Sequence, residues 1–245
     1  MICHEPRCIY TRNCLANVIC QLRFPEILTI ETTLPDAFQE AIRQEFPRYG
    51  VRKEGQPQKQ TNNYQFTSAD GIWRVNLTSK FISLACSEYT CWEDFARMLD
   101  KPLAAFIQVY KPAYFERVGL RYINFISRKA LELESVPFRA LINGCYLGIL
   151  AEEDVAEASV GRCALDTESA LRGGCRVKIH AGLGKIARPD KPDPEIKFIF
   201  DQDLYMPGNV PVNASAGALQ TLHSQAYGIF RGAITDMLHD TMEPK

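Results

Sequence analysis

The alternation of apolar and polar positions divides this chain into strands and helices. No period is visible before Leu15; Leu15–Phe24 then reads as a strand stopped by Pro25. A helix is predicted over 35–46, with Pro35 in its first turn and Phe38, Ile42 and Phe46 repeating every fourth position. The polar run Arg52–Gln60 has nothing to bury and reads as a surface loop. Three strands are predicted at Asn63–Thr67, Trp73–Thr78 and Phe81–Cys86, the first two joined at the hairpin signal Asp70-Gly71. Trp73, Val75 and Leu77 share one face and Arg74, Asn76 and Thr78 the other, so this meander has one wet face. A long helix over Cys91–Val109 carries Trp92, Phe95, Leu99, Leu103 and Phe106 on one side, and Pro102 is expected to kink or divide it.

The next strand, Arg117–Ile126, places Val118, Leu120, Tyr122 and Ile126 on one face. Arg117, Gly119, Arg121, Ile123 and Phe125 lie on the other. Two arginines flanking a glycine are costly to bury unless an anion meets them. That anion is either a carboxylate of the fold, with Glu88, Glu93 and Asp94 the nearest by element order, or a ligand.

Beyond Arg128 the period weakens. Residues 134–150 fit helix or strand equally, and Ala151–Glu157 reads as acidic surface. Strands are predicted at Ser159–Asp166, Gly174–His180 and Glu195–Asp203, with a proline-rich loop over Lys185–Pro194 and a turn at Met206–Asn209. A closing helix over Leu219–Asp240 would bury Leu222, Ala226, Ile229, Phe230, Ala233 and Met237. The sum is an α+β fold of mostly antiparallel sheets covered by long helices. It divides at about 130 into an N-terminal half (1–130) and a C-terminal half (131–245), either two ferredoxin-like halves or one continuous domain.

Composition narrows the function more than the fold. With 46% hydrophobic residues in 245, the chain can build a sizeable core. Its 28 Lys and Arg nearly balance 29 Asp and Glu, which disfavours broad nucleic-acid binding but leaves room for a local basic groove. No apolar run is long enough to span a bilayer, and the first residues do not form a basic start with an apolar run behind it. Nine cysteines then point to a reducing cytoplasm, where they act as small buried hydrophobes. Cys3, Cys8, Cys14 and Cys20 are spaced by five, six and six residues, with no Cys-x-x-Cys pair for zinc.

No catalytic set emerges, and no cofactor is expected. Arg117, Arg121, Arg176 and Lys178, with Arg162, are the candidate ligand-binding residues, able to line a basic groove or simply a solvated face. Asp201 and Asp203 share a strand face and are weak candidates for Mg²⁺. Tyr110, Tyr114 and Phe115 surround Pro112 in a connector expected to be exposed, and are candidates for binding a partner.

Several segments together resemble a known family: Leu22-Arg-Phe-Pro25, Phe38-Gln-Glu40, Trp73, Ile82-Ser-Leu84, Tyr89, Trp92-Glu93, Arg117-Val-Gly-Leu-Arg-Tyr-Ile-Asn124, Asp201-Gln-Asp203 and Leu222-His223. The chain is similar to a sporadically distributed family of uncharacterised prokaryotic proteins of about 250 residues. This implies a cytoplasmic bacterial protein and no particular reaction. The primary expectation is a non-catalytic module that binds a protein partner or a second copy of itself. An RNA-binding protein built from tandem ferredoxin-like halves is the first alternative, and a metal-dependent phosphoesterase the second.

Overall fold

The computed structural model describes residues 2–56, 59–186 and 193–245. Of Lys59 only the backbone is described. Nine strands form one antiparallel sheet among these residues, interspersed with helices, so the fold is mixed α+β. The strands are β1 (Leu15–Arg23), β2 (Arg48–Gln56), β3 (Lys59–Thr67), β4 (Trp73–Leu77), β5 (Phe81–Cys86), β6 (Phe115–Ile126), β7 (Ala164–Ala170), β8 (Arg176–Lys185) and β9 (Ile196–Val210). Their order is β2-β3-β4-β5-β1-β6-β9-β8-β7. The helices are α1 (Thr29–Thr32), α2 (Asp36–Ile42), α3 (Trp92–Tyr110), α4 (Ser215–Ala233) and α5 (Asp236–Thr241). None of the described helices is long and apolar enough to cross a membrane.

Two compact units are built from interleaved stretches of chain. One comprises 17–121 and 205–222, the other 1–16, 122–204 and 223–245. Each of β6, β9 and α4 therefore contributes residues to both.

In the 17–121 unit the period-two pattern resolves into two unlike faces. Registers Val18↔Cys86, Cys20↔Leu84 and Leu22↔Ile82, then Val75↔Leu84 and Phe66↔Val75, stack apolar residues across β1, β5, β4 and β3. Helix rings fill this side: Phe38 lies 5.4 Å from Phe66, Phe95 5.8 Å from Trp73, and Phe106 4.6 Å from Phe24. α3 stays continuous through Pro102, which is buried within it. α2 is shorter than expected, starting after Pro35 and ending at Ile42 rather than 46, while Phe38, Ile42 and Phe46 are all buried.

Within the predicted loop Arg52–Gln60, residues 52–56 and 59–60 are strand, and 57 and 58 lie outside the described residues. Arg48–Gln56 and Lys59–Thr67 form an antiparallel ladder, and nearly every β2 side chain is exposed. The apolar burial of this pair comes from Tyr64 and Phe66 of β3, while β2 is held by backbone hydrogen bonds with its polar side chains exposed, which is why its sequence hid it.

In the other unit, Phe138 contacts Phe198, and Tyr146, Phe200, Phe230 and Tyr10 make successive ring contacts. Residues 134–150 are neither helix nor strand. Three 3-10 turns, Phe138–Ala140, Gly144–Tyr146 and Gly148–Ala151, bury Phe138, Tyr146 and Leu150. Glu157, expected on an acidic surface, pairs with Arg128 at 2.8 Å and accepts the Phe138 amide. β7 begins later than predicted and β8 runs further. β9 continues through Met206–Asn209, with Gly208 at φ +93° allowing the strand to pass where a turn was expected. Most of the Lys185–Pro194 loop lies outside the described residues.

The predicted terminal helix is two helices. Thr235 caps α5, its hydroxyl accepting the Leu238 amide, and Leu238 rather than Met237 faces the core; Met237 is half exposed. The aperiodic first residues are held against this end of the chain. The Cys3 amide donates to the Gly228 carbonyl at 2.8 Å, Arg231 pairs with Glu5 at 2.9 Å, and Ile9 exchanges backbone hydrogen bonds with Lys245.

Candidate functional site

The face of the 17–121 sheet opposite α2 and α3 is the most coherent polar surface. Its residues are fixed by register. Gly50, Gln65, Asn76, Ser83 and Gln21 are successive partners across β2, β3, β4, β5 and β1, forming a row of amides and one hydroxyl. Gln65 donates to Asn76 at 3.2 Å, and Asn76 to Ser83 at 3.2 Å. The row to one side carries Arg48, Thr67, Arg74, Ala85 and Ile19, and the row to the other includes Arg52, Asn63, Phe81 and Arg23. Four exposed arginines thus frame the amide row. Arg48, Arg52 and Arg74 make no ion pair among the described residues, and Arg23 donates only to Gln21, at 3.0 Å.

Asn63 is buried on this face. Its amide nitrogen donates to Glu54 at 2.6 Å, while its Oδ1 accepts no hydrogen bond among the described residues. Beside it opens a cleft of about 500 Å³ lined by Arg23, Glu26, Glu54, Thr61, Lys80 and Glu116.

Both arginines of β6 belong to this unit, and they differ. Arg117 is half-buried, its guanidinium stacked 4.6 Å from the centre of the Tyr205 ring. It lies flat over Gly119, where any Cβ would collide with it, so the glycine is the seat of the Arg117 side chain rather than bare surface. Arg121 is exposed, which corrects the expectation of a buried charge. Of the acids proposed to hold it, Asp94 accepts hydrogen bonds from Thr90, Cys91 and Arg97.

Arg176 and Lys178 lie in the other unit, on the exposed face of β8. Glu168, on the paired strand β7, meets them at 3.2 and 3.8 Å, and Asp166 meets His180 at 2.8 Å. This is a solvated cross-strand charge ladder. Arg162 is exposed. Asp201 and Asp203 are half-exposed on one face of β9, as their spacing predicts, but within a strand rather than beside a turn. No three His, Cys, Asp or Glu among the described residues are grouped to hold a metal.

Among the aromatic candidates, Phe115 is fully buried, which corrects its placement as an exposed residue, whereas Tyr110 is half-buried and packs against Phe106 at 5.5 Å and Phe38 at 6.5 Å; Lys111 and Ala113 of the connector are exposed. Burial pushes the Tyr110 hydroxyl up to about 12. Tyr114 is half-buried.

Other polar groups are occupied by structure. Burial raises Cys14 and Cys20 to about 12 and Cys86 to about 11, keeping these thiols protonated. Cys91, at the start of α3, donates to Asp94 at 3.2 Å. His223 is buried between Arg7 (2.9 Å to Nε2) and Tyr122 (2.8 Å to Nδ1). A guanidinium can only donate, so Nε2 accepts and Nδ1–H donates to the tyrosine oxygen, leaving the imidazole neutral. Neither the framed amide row nor this bridge was named from the sequence. The alternation Arg74, Asn76, Thr78 carried the signal for the first; nothing local signalled the second, whose members are far apart in the chain.

Comparison with protein-family models and with curated proteins finds no match to this chain.

Proposed function

We propose that this protein is a non-catalytic binding module and that the open face of its 17–121 sheet binds single-stranded RNA. The observation that carries the reading is the row of amides framed by Arg23, Arg48, Arg52 and Arg74. Neighbouring strands lie about 4.8 Å apart, so Arg48 and Arg74 are separated by about 10 Å and Arg52 and Arg23 by about 19 Å. A nucleic-acid strand laid along the amide row would meet arginines on both flanks for its phosphates. Gln21, Gln65 and Asn76 would meet base edges, which present both donors and acceptors. Order supports this: β5, α3 and β6 bracket β1, the split βαβ arrangement of ferredoxin-like folds, with helix rings on the opposite face.

Net charge near zero fits a local face rather than a long basic channel. The absence of an activated nucleophile in the geometry above is why a reaction is not proposed. We propose also that the chain belongs to the prokaryotic family it resembles and works in the cytoplasm, a reading supported by nine cysteines all present as free thiols.

The test is fluorescence anisotropy with a labelled mixed-sequence RNA of about 20 nucleotides, titrated at several salt concentrations. The wild type is expected to bind, weakening linearly in log salt. Arg23→Glu, Arg52→Glu and Arg74→Glu should each weaken binding about tenfold, and the triple variant should flatten the salt slope by about 2. All these side chains are exposed, so the variants should melt like the wild type. No anisotropy change at about 50 mM salt, or binding untouched by the triple variant, overturns the proposal.

A further inference from the structure

We propose that β2 is a self-association edge, along which two copies of this chain pair antiparallel with Val51 on the two-fold axis. Among the described residues β2 ends the strand order and has β3 as its single neighbour. A strand in that position presents one row of backbone N–H and C=O groups outward, a template for another strand. Its side chains are correspondingly uncovered: Tyr49 is 46% and Val51 45% exposed, and at Gly50 an added Cβ would meet nothing within 4 Å.

Charge decides which strand fits. In a symmetric antiparallel pair the axis is normal to the sheet and keeps each side chain on its own face, so the axis must pass through a residue position. Centring on Gly50 sets Arg48 against Arg52 twice. Centring on Arg52 or on Lys53 sets that residue against its own copy. Centring on Val51 is different. Arg48 then faces Glu54 of the second copy, twice by symmetry, and Tyr49 faces Lys53, also twice. Val51 faces Val51, and Gly50 faces Arg52, where the missing side chain leaves room.

This register brings no like charges face to face. It forms two ion pairs on the polar face and an apolar centre flanked by two Lys–Tyr contacts on the other. Glu54 can take part because its bond to Asn63 uses Oε1, leaving Oε2 open. Pairing this way would extend the sheet across the axis, and it does not depend on what the polar face binds.

Sedimentation velocity of the full chain in reductant, over about 1–200 µM, tests the proposal. The wild type is expected to show a reversible monomer–dimer equilibrium. Val51→Asp, which opposes two carboxylates on the axis at an exposed position, should leave a monomer with unchanged melting temperature. Arg48→Glu alone should weaken association about tenfold by facing Glu54 with a like charge. Arg48→Glu/Glu54→Arg should restore it. A wild type that stays monomeric throughout overturns the proposal, as does a dimer indifferent to Val51→Asp. A double reversal no stronger than the single overturns the register.

Discussion

At the scale of single residues, Lys197 is a buried charge that bears on stability. Its side chain is nine-tenths buried, yet it lies 2.9 Å from Glu195 and also pairs with Asp193. Glu195 accepts further from Ser127 at 2.7 Å and from the Lys129 amide at 3.1 Å. Burial works against the carboxylate, but these donors outweigh it and hold Glu195 below its usual range; Asp193 is lowered chiefly by Lys197. Burial likewise opposes the ammonium, and the two carboxylates raise it above the ordinary lysine range. A carboxylate lowered by folding stabilises the protein above its unfolded pKa, and that contribution disappears as pH falls through the folded value. Lys197→Met should therefore cost about 1–2 kcal/mol near neutral pH, after discounting for solvent at the carboxylates. In urea melts the gap from wild type should narrow below about pH 4, where both carboxylates take up protons. An unchanged gap at acid pH would mean that lost packing, not charge, explains the cost. Arg121 shows the converse. Alternation placed it on the correct face of its strand, but whether that face was dry depended on neighbouring elements.

At the scale of elements, periodicity succeeded where burial is one-sided and failed where it is absent or shared. α3 and the strands β1, β4, β5 and β6 follow their apolar spacing closely. β2 and the first residues of β3 have too little apolar patterning to be seen, although Asn63–Thr67 of β3 was legible, and the 3-10 turns of 138–151 bury residues at no regular interval. The N-terminal stretch is ordered by contacts rather than by any period of its own. Gly228 makes this possible: a Cβ there would sit 2.7 Å from the Cys3 carbonyl oxygen. Gly228→Ala is accordingly expected to displace the first residues from α4 while improving helix propensity locally. Limited proteolysis should cut the variant before Tyr10 at least several times faster than the wild type. Equal cleavage rates would show that the segment is held elsewhere.

At the scale of the whole molecule, the two units do not follow the division at 130. The unit containing 122–204 takes residues 1–16 from one end of the chain and 223–245 from the other, and the 17–121 unit takes 205–222. Tyr10 illustrates the dependence, with its hydroxyl 2.8 Å from His239 and its ring 6.2 Å from Phe230. Fragments 1–130 and 131–245 made separately should each lack dispersed amide proton signals, because each is missing strands or core residues of its own unit. Co-expression should restore them. A well-dispersed spectrum from either fragment alone would establish it as an independent domain.

Local pattern determined which side of each regular strand is apolar, where α3 runs, and that the meander keeps one polar face. These follow from the burial preference of side chains two or four positions apart, information contained in a short window. Tertiary structure alone decided that Arg117 lies on Gly119 against Tyr205 while Arg121 is exposed, and that Phe115 is core. It also decided that Arg23, Arg48, Arg52 and Arg74 frame one row of amides, and that His223 bridges Arg7 and Tyr122. Those outcomes depend on strand register and on contacts between residues distant in sequence, and no window of the chain contains both partners.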